Sequence, residues 1–535
     1  MKDKKGGAIT EQEKLTRATG VVGFFTLLSR MLGLVRDMVI AYFFGTGMVA
    51  DAFLVAFRIP NLLRRLFAEG SLTIAFIPVF TELLKQKGKE EAFLMARAVL
   101  TLVSLILVLI TLLGIILAPG IVRILAFGWH GFADKLELTV LLTRIMFPYI
   151  LIVGLLAVFM GILNSLRHFA APAAAPIFLN LGIIAATLWL APHFSQPIIG
   201  TAIGVLIGGI LQSVLQIPWL LREGLTLWPR WRPLDPALKK TGLLLLPAIF
   251  GSAIYQINQM INTLLATRLP EGSVAWLYYA DRVVEFPLGL FAIAISTAAL
   301  PSLARQAADQ DMVRLRETFG HSLRMTFFII LPTMVGLMVL REPVFQILFQ
   351  RGAFSVQSVK MAGQAFFCYC LGLWAFAGIK VMANGFYALQ DTRTPVHIAT
   401  LTLIANILFA LVLIGPLKHV GLALALSCSS ALQFILLAFY LRKKTSILVL
   451  KPILISISKS FCAALVMGGC VYWLYVRFWL TRPFLVFSNQ ILTLIGLIFS
   501  GLIIYLIMTK MMGCPELSFL GDLFPINRSK YNHSK

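Results

Sequence analysis

Between Ser29 and Gly70 the chain reads SRMLGLVRDMVIAYFFGTGMVADAFLVAFRIPNLLRRLFAEG. Most of this stretch is apolar enough for a bilayer, yet it holds Arg30, Arg36, Asp37, Asp51, Arg58, Arg64, Arg65 and Glu69. A charge at membrane depth costs about 2.5–3.5 kcal/mol on insertion scales. So many in one apolar run imply a polar, water-accessible cavity that handles something charged. On a helix, Arg30 and Asp37 share a face, which offers them as an ion pair, while Arg36 points elsewhere beside Asp37. Asp51, Arg58, Arg65 and Glu69 fall on one stripe, with Arg64 about 100° away. Pro60 removes a backbone donor and crowds the carbonyl of Ala56, so a kink is expected there. Far downstream, Asp281, Arg282 and Glu285 precede Pro287, with Arg282 in reach of Glu285, and Lys380 sits inside another apolar run.

Basic side chains outnumber acids in this set. Arginine keeps its charge permanently and grips phosphate with two parallel N–H donors. The chemistry indicated is binding of an anion, with phosphate or diphosphate as the best match. A drug or cation exporter would lead with unpaired acids. Alternatives stay open for single residues. Arg64 and Arg65 could mark the end of a span and snorkel to its surface. Asp281, Arg282 and Glu285 could be a self-neutralising cluster. Asp391 and Arg393 read as turn residues before Pro395, and His130 and His193 as loop residues. The sequence contains no GxxxxGK[ST], HExxH or GxSxG. No enzyme activity, cofactor or metal is expected, and energy must come from an ion gradient, the membrane potential or consumption of the substrate.

The elements that position these residues are transmembrane helices. Of 535 residues, 59% are hydrophobic and only 13% charged, with a mean hydropathy of +0.88; soluble domains carry about 25% charged residues. Fourteen apolar segments are read at 19–43, 50–84, 93–118, 138–165, 173–192, 197–221, 240–266, 273–304, 320–341, 360–388, 396–415, 419–441, 452–475 and 487–509. The fold class expected is an all-α polytopic membrane protein. The net charge of +23 would suggest nucleic acid in a soluble chain, but here it gathers in loops and tails. Those loops place both termini in the cytoplasm, and no nucleic-acid partner is expected. The polar start MKDKKGGAITEQEK does not read as a signal peptide. The six cysteines read as small buried hydrophobes.

The chain repeats itself. Arg58 falls on Arg282, 224 residues later, and Phe67, Ala68, Thr73 and Ala75 fall on Phe291, Ala292, Thr297 and Ala299 at the same offset. GILNSLRHFAAP from Gly161 resembles GFYALQDTRTP from Gly385, again 224 residues on. Six segments per repeat give two lobes in the same orientation, related by a pseudo-twofold along the membrane normal with a site between them. The expected organisation is a tail at 1–18, lobes at 19–230 and 231–445, two further helices within 446–510, and a tail at 511–535. The last tail reads as a disordered basic segment, with partner binding as the alternative.

SRMLGLVRD, ADAFLVAFRIPNLLRRLFAEG, YYADRVVEFPLG and GFYALQDTRTPV resemble the bacterial lipid II flippases (the MurJ or MviN family) of the multidrug/oligosaccharidyl-lipid/polysaccharide exporter superfamily. The similarity covers about residues 18–510. It implies fourteen helices and alternating access that carries the undecaprenyl-diphosphate-linked peptidoglycan precursor, lipid II, to the periplasmic leaflet of the inner membrane. It implies substrate-binding roles for Arg30, Arg36, Arg64 and Arg282, and matches the family's aspartate and glutamate to Asp51 and Glu285. Asp37, Arg58, Arg65, Glu69, Asp281 and Lys380 are supporting or gating candidates. Salt bridges such as Arg30–Asp37, or Asp51 with an arginine, would exchange between states. The helices at 452–475 and 487–509 would hold the lipid tail. Some members are proposed to bind sodium through acids on the seventh helix, where this chain has Gln256, Asn258, Gln259 and Asn262. Partners would be lipid II, membrane lipids and cell-wall synthesis or division proteins. The other functions considered are a transporter of another lipid-linked oligosaccharide, a multidrug antiporter, and a non-transporting scaffold of cell-wall assembly.

Overall fold

In a bilayer, backbone N–H and C=O groups have no water to bond, so a long apolar run must satisfy them within its own helix. The computed structural model describes residues 11–66, 72–232, 235–445, 447–481 and 487–517. Every regular element among these residues is helical. The order begins α1 (Glu11–Phe44), α2 (Met48–Leu66), α3 (Leu72–Gln86), α4 (Gly88–Leu125), α5 (Ala133–Met146), α6 (Tyr149–Ser165), α7 (Ala170–Ala185), α8 (Ile198–Arg222) and α9 (Pro236–Ala266). It continues with α10 (Ser273–Pro287), α11 (Ile293–Ala308), α12 (Met312–Val339), α13 (Arg341–Phe349), α14 (Val356–Leu371) and α15 (Leu373–Ala388). The chain then forms α16 (Arg393–Lys444), α17 (Leu450–Tyr475) and α18 (Phe487–Met511). Among the described residues, nine helical runs are long and apolar enough to cross a membrane, or ten when α14 and α15, bent by 41°, form one span. Helix α16 holds two of the apolar segments, joined at Lys418, whose φ of 50° and ψ of −129° break the helix. Short π-helical turns follow α7, α10 and α17.

The chain divides into two compact units. The first runs to Ala275 and takes in Arg351–Ser355; the second holds Trp276–Gln350 and the chain from Val356. In the first unit α7 packs on α1 and α8, α6 on α3, α4 and α8, and α9 on α3 and α4. A cluster of Leu107, Phe147 and Ile150 ties α4 to the start of α6. In the second unit α12 packs on α11, α15 and α17, α16 on α14 and α15, and α18 on α17.

The repeat seen in the sequence reappears in the elements. Helices α4 and α12 begin 224 residues apart, at Gly88 and Met312, and α6 and α15 do the same at Tyr149 and Leu373. Both α6 and α15 end in a left-handed residue, Arg167 (φ 65°) and Gln390 (φ 59°). In each turn the next N–H reaches back five residues, from His168 to the Leu163 carbonyl (2.8 Å) and from Asp391 to that of Phe386 (2.9 Å). The polar locks on the two turns are built from different groups. His168 Nε2 meets Glu223 Oε1 at 2.7 Å, and Lys89 Nζ meets Glu223 Oε2 at 2.7 Å. In the second unit the carboxylate is on the turn: Asp391 accepts from Lys444 Nζ (2.8 Å), the Thr394 N–H (3.0 Å) and the Thr394 hydroxyl (2.7 Å). The turn reading of Asp391 therefore has a physical basis.

Helices α7 and α8 touch through glycine. A methyl on Gly208 would stand 2.8 Å from the Leu179 carbonyl oxygen and 2.9 Å from its Cα, and one on Gly182 would stand 2.5 Å from the Gly208 Cα. Backbone cannot swing aside as a side chain can. Gly208→Ala should cost about 1–3 kcal/mol, whereas Gly469→Ala, where a methyl meets nothing within 4 Å, should leave stability close to wild type. Thermal unfolding of the purified variants in one detergent tests the difference. The Asp391 turn gives a pH-dependent expectation. Burial opposes ionisation of Asp391, but Lys444 and Thr394 outweigh it and hold the carboxyl at about 2, against an ordinary 3.8. A lowered folded-state pKa gives stability that is full above the unfolded value and fades as pH falls toward the folded one. The stability gap between wild type and Asp391→Asn should therefore close between about pH 4 and pH 2, as read by melting temperature at each pH.

Candidate functional site

Helix α1 is held against α7 by a buried pair. Asp37 is fully buried and Arg36 is 6% exposed. Arg36 Nε and Nη2 both donate to Asp37 Oδ1, at 3.0 and 2.7 Å, and its Nη1 donates to Asn180 Oδ1 at 3.1 Å. Asn180 Nδ2 in turn donates to the Ser29 carbonyl at 3.0 Å, which fixes the amide. This corrects the expected Arg30–Asp37 pair. Spacing along a helix says which residues share a face, but the long Arg36 side chain curls back onto its neighbour. Arg30 is half-buried and, among the described residues, has no hydrogen-bond or ion-pair partner.

Helix α2 continues through Pro60 to Leu66, so the expected kink does not interrupt it. Arg58 is half-buried, and its Nε donates to the Thr263 hydroxyl on α9 at 3.0 Å. That partner is neutral, so the positive charge of Arg58 is left uncompensated by any carboxylate among the described residues. Arg64 donates through Nε and Nη2 to Asn61 Oδ1 at 3.1 and 3.0 Å. Arg65 is half-buried on the next position, and Glu69 lies outside the described residues.

Asp51 belongs to a different knot. It is 1% exposed, and it accepts from Lys135 Nζ (2.8 Å), the Gly272 N–H (2.9 Å) and the Ala275 N–H (3.0 Å). Lys135 is itself 4% exposed, with its ammonium 4.0 Å from the centre of the buried Trp129 ring. The expected arginine partner is thus a lysine. Lys135 stands just before an apolar segment, where a lysine reads as a span end. The signal available was Trp129 six residues earlier, since a buried indole face is a seat for a cation. Close by, the Met48 N–H donates to Glu271 Oε1 at 2.6 Å and the Gly128 N–H to the Thr267 hydroxyl at 3.3 Å.

In the second unit Asp281, Arg282 and Glu285 are half-buried on α10. Arg282 Nη1 pairs with Glu285 Oε2 at 2.9 Å, as spacing along the helix allows. Lys380 has an exposed side chain midway along α15, and its carbonyl accepts from the Ser296 hydroxyl at 3.2 Å. Among the described residues no group of three or more His, Cys, Asp or Glu side chains could hold a metal.

The arrangement can bind an anion. The acids Asp37 and Asp51 are consumed by their own partners, whereas Arg30 and Arg58 keep charge to spare in an apolar bundle. Comparison with known proteins follows the same line. The model of a family described as lipid II flippase MurJ matches residues 40–494. The chain belongs to the MurJ family. It is 38% identical over 515 residues to the "Probable lipid II flippase MurJ" of Vibrio cholerae serotype O1, covering 94% of this chain and 97% of that protein. It is 37% identical over 468 residues to the "Lipid II flippase MurJ" of Burkholderia cenocepacia, covering 87% and 91%. A solved structure of "Lipid II flippase MurJ, inward closed conformation" superposes with a TM-score of 0.78 at 27% identity, over 94% of this chain and 99% of that one. An inward-facing multidrug resistance MATE family transporter of the MOP superfamily shares the fold, with a TM-score of 0.68 at 15% identity over 78% and 94%. The all-helical polytopic fold is therefore shared with both of these solved structures.

In this MurJ-family chain the Asp51–Lys135 pair gives a stability expectation. Removing one member of a buried pair strands the other's charge and costs about 3–5 kcal/mol. Lys135→Met should lose that much, and the double change Lys135→Met with Asp51→Asn should recover a large part of it. A double-mutant cycle on unfolding midpoints measures the coupling.

Proposed function

We propose that this chain flips lipid II from the cytoplasmic to the periplasmic leaflet of the bacterial inner membrane by alternating access, for peptidoglycan synthesis. Membership of the MurJ family supports this reading. The observation that carries the chemistry is the uncompensated charge of the half-buried Arg30 and Arg58. A diphosphate offers oxygens to more than one guanidinium, and each charge-assisted bond is short and directional. Arg64 and Arg282 stand as further headgroup ligands. Arg36, held by Asp37 and Asn180, keeps α1 seated on α7 and presents a fixed, polar wall. The polyprenyl tail stays apolar throughout, along the lipid-facing helices that end the chain. The protein acts as a transporter, not an enzyme, with both termini in the cytoplasm, as the basic loops favour.

The test is the accessibility of lipid II at the outer face of cells depleted of this protein, read with an added probe that cannot cross the membrane. Wild type should restore outer-face lipid II. Arg30→Ala, present in membranes at wild-type amount, should not, because losing a bond to a charged group weakens binding by about 10- to 100-fold. Outer-face lipid II that stays unchanged on depletion would point to another lipid-linked oligosaccharide. Full restoration by Arg30→Ala would remove that residue from the headgroup site.

A further inference from the structure

Where α16 ends and α17 begins, the second unit holds a cavity of about 880 Å³. Three cations line it: Arg316 on α12, Arg442 in the last turn of α16 and Lys451 in the first turn of α17. Its described lining contains no carboxylate. The side chains of α16's last turn are placed as the helix dipole prefers, with positive charge at the C-terminal end. Lys451 is not, because a cation near a helix N-terminus meets the positive end of the dipole. Helix α17 also starts without a side-chain cap at Val449, which leaves the donors of its first turn without that partner. The Nε of Arg316 is buried with no hydrogen-bond partner among the described residues. Three cations and the uncapped start of α17 line one cavity, and a bound anion would balance their charge.

The rest of the lining says which anion. Leu454 and Ile455 continue the wall, at 57% and 47% exposure, and α17 belongs to a run long and apolar enough to cross the membrane. The exposed apolar face goes on through Phe461, Leu465 and Val466. A cluster of cations at the end of a span, above an apolar wall, has the shape of a phospholipid: headgroup phosphate at the surface, acyl chain along the helix. A soluble phosphate would leave that wall unused. We propose that this cavity binds the headgroup of an anionic phospholipid of the surrounding bilayer. The site contains none of the arginines assigned above to the diphosphate of lipid II, although its apolar wall lies on α17, one of the helices assigned above to the polyprenyl tail.

The purified full-length chain in detergent, titrated with dioleoyl-phosphatidylglycerol and followed by native mass spectrometry, tests this. Each cation near a membrane surface contributes about a fivefold factor in affinity for anionic lipid. Lys451→Gln should weaken phosphatidylglycerol binding about fivefold, and the combined change Arg316→Gln, Arg442→Gln and Lys451→Gln about 100-fold. Dioleoyl-phosphatidylcholine should not discriminate between the proteins. Lys451 is exposed, so its single variant gives a readout even where the combined one does not fold. Equal phosphatidylglycerol affinity in wild type and Lys451→Gln would overturn the proposal. So would inorganic phosphate that raises the melting temperature of wild type as much as phosphatidylglycerol does, since the ligand would then be a soluble anion.

Discussion

An ionised side chain inside an apolar bundle must find compensation within the fold, since neither lipid nor packed hydrocarbon supplies it. That constraint sorts the charges of this chain into two classes. Asp37 and Asp51 are each surrounded by donors, the first by Arg36 and the second by Lys135 and two backbone N–H groups. They act as structural rivets: one seats α1 on α7, the other gathers the starts of α2 and α5 and the residues around Ala275. Among the described residues Arg30 and Arg58 are not compensated in this way, and both stand in half-buried positions. Among the described residues Asp37 and Asp51 are neutralised internally while Arg30 and Arg58 keep charge to spare, a balance that suits the anionic guest proposed above. The bias comes from the count of partners, with no single residue responsible for it.

The internal repeat shows how little of a local interaction must be kept for a geometry to persist. The turns after α6 and α15 share a left-handed residue and a five-residue backbone closure, although the side chains that lock them differ, an imidazole in one and a carboxylate in the other. Backbone geometry fixes the turn, and any complementary pair within reach then holds it to the neighbouring helix end. The sequence resemblance there rests on Gly161 and Gly385 and on the proline beyond the turn, while the ionic lock is invisible to residue-by-residue matching.

The same distinction explains what could be read from the sequence. Charges standing in apolar runs are conspicuous, so the residues of the candidate site were nameable in advance, and the helices follow from runs too long for anything else. The repeat was legible because glycine and arginine recur at one offset. Pairing was less so. Helical periodicity set Arg30 against Asp37, yet side-chain length and rotamer decide reach, and Arg36 takes the carboxylate. Lys135 and Asn180 escaped because their importance lies in what the fold brings to them from 84 and 144 residues away. Glycine's part in the contact between α7 and α8 likewise depends on which backbone lies opposite.

The bond from the Ala275 N–H to Asp51 joins two positions that are each other's counterparts in the repeat, 224 residues apart. Position 275 is itself fully buried. A carboxylate at both positions would crowd two negative charges around a single lysine, and one would have to stay protonated or leave the interior. At this contact the two repeat positions are therefore unequal. In this chain the acid stands at 51 and a small neutral side chain at 275. The contact closes because its two sides differ, one supplying the carboxylate and the other a backbone donor.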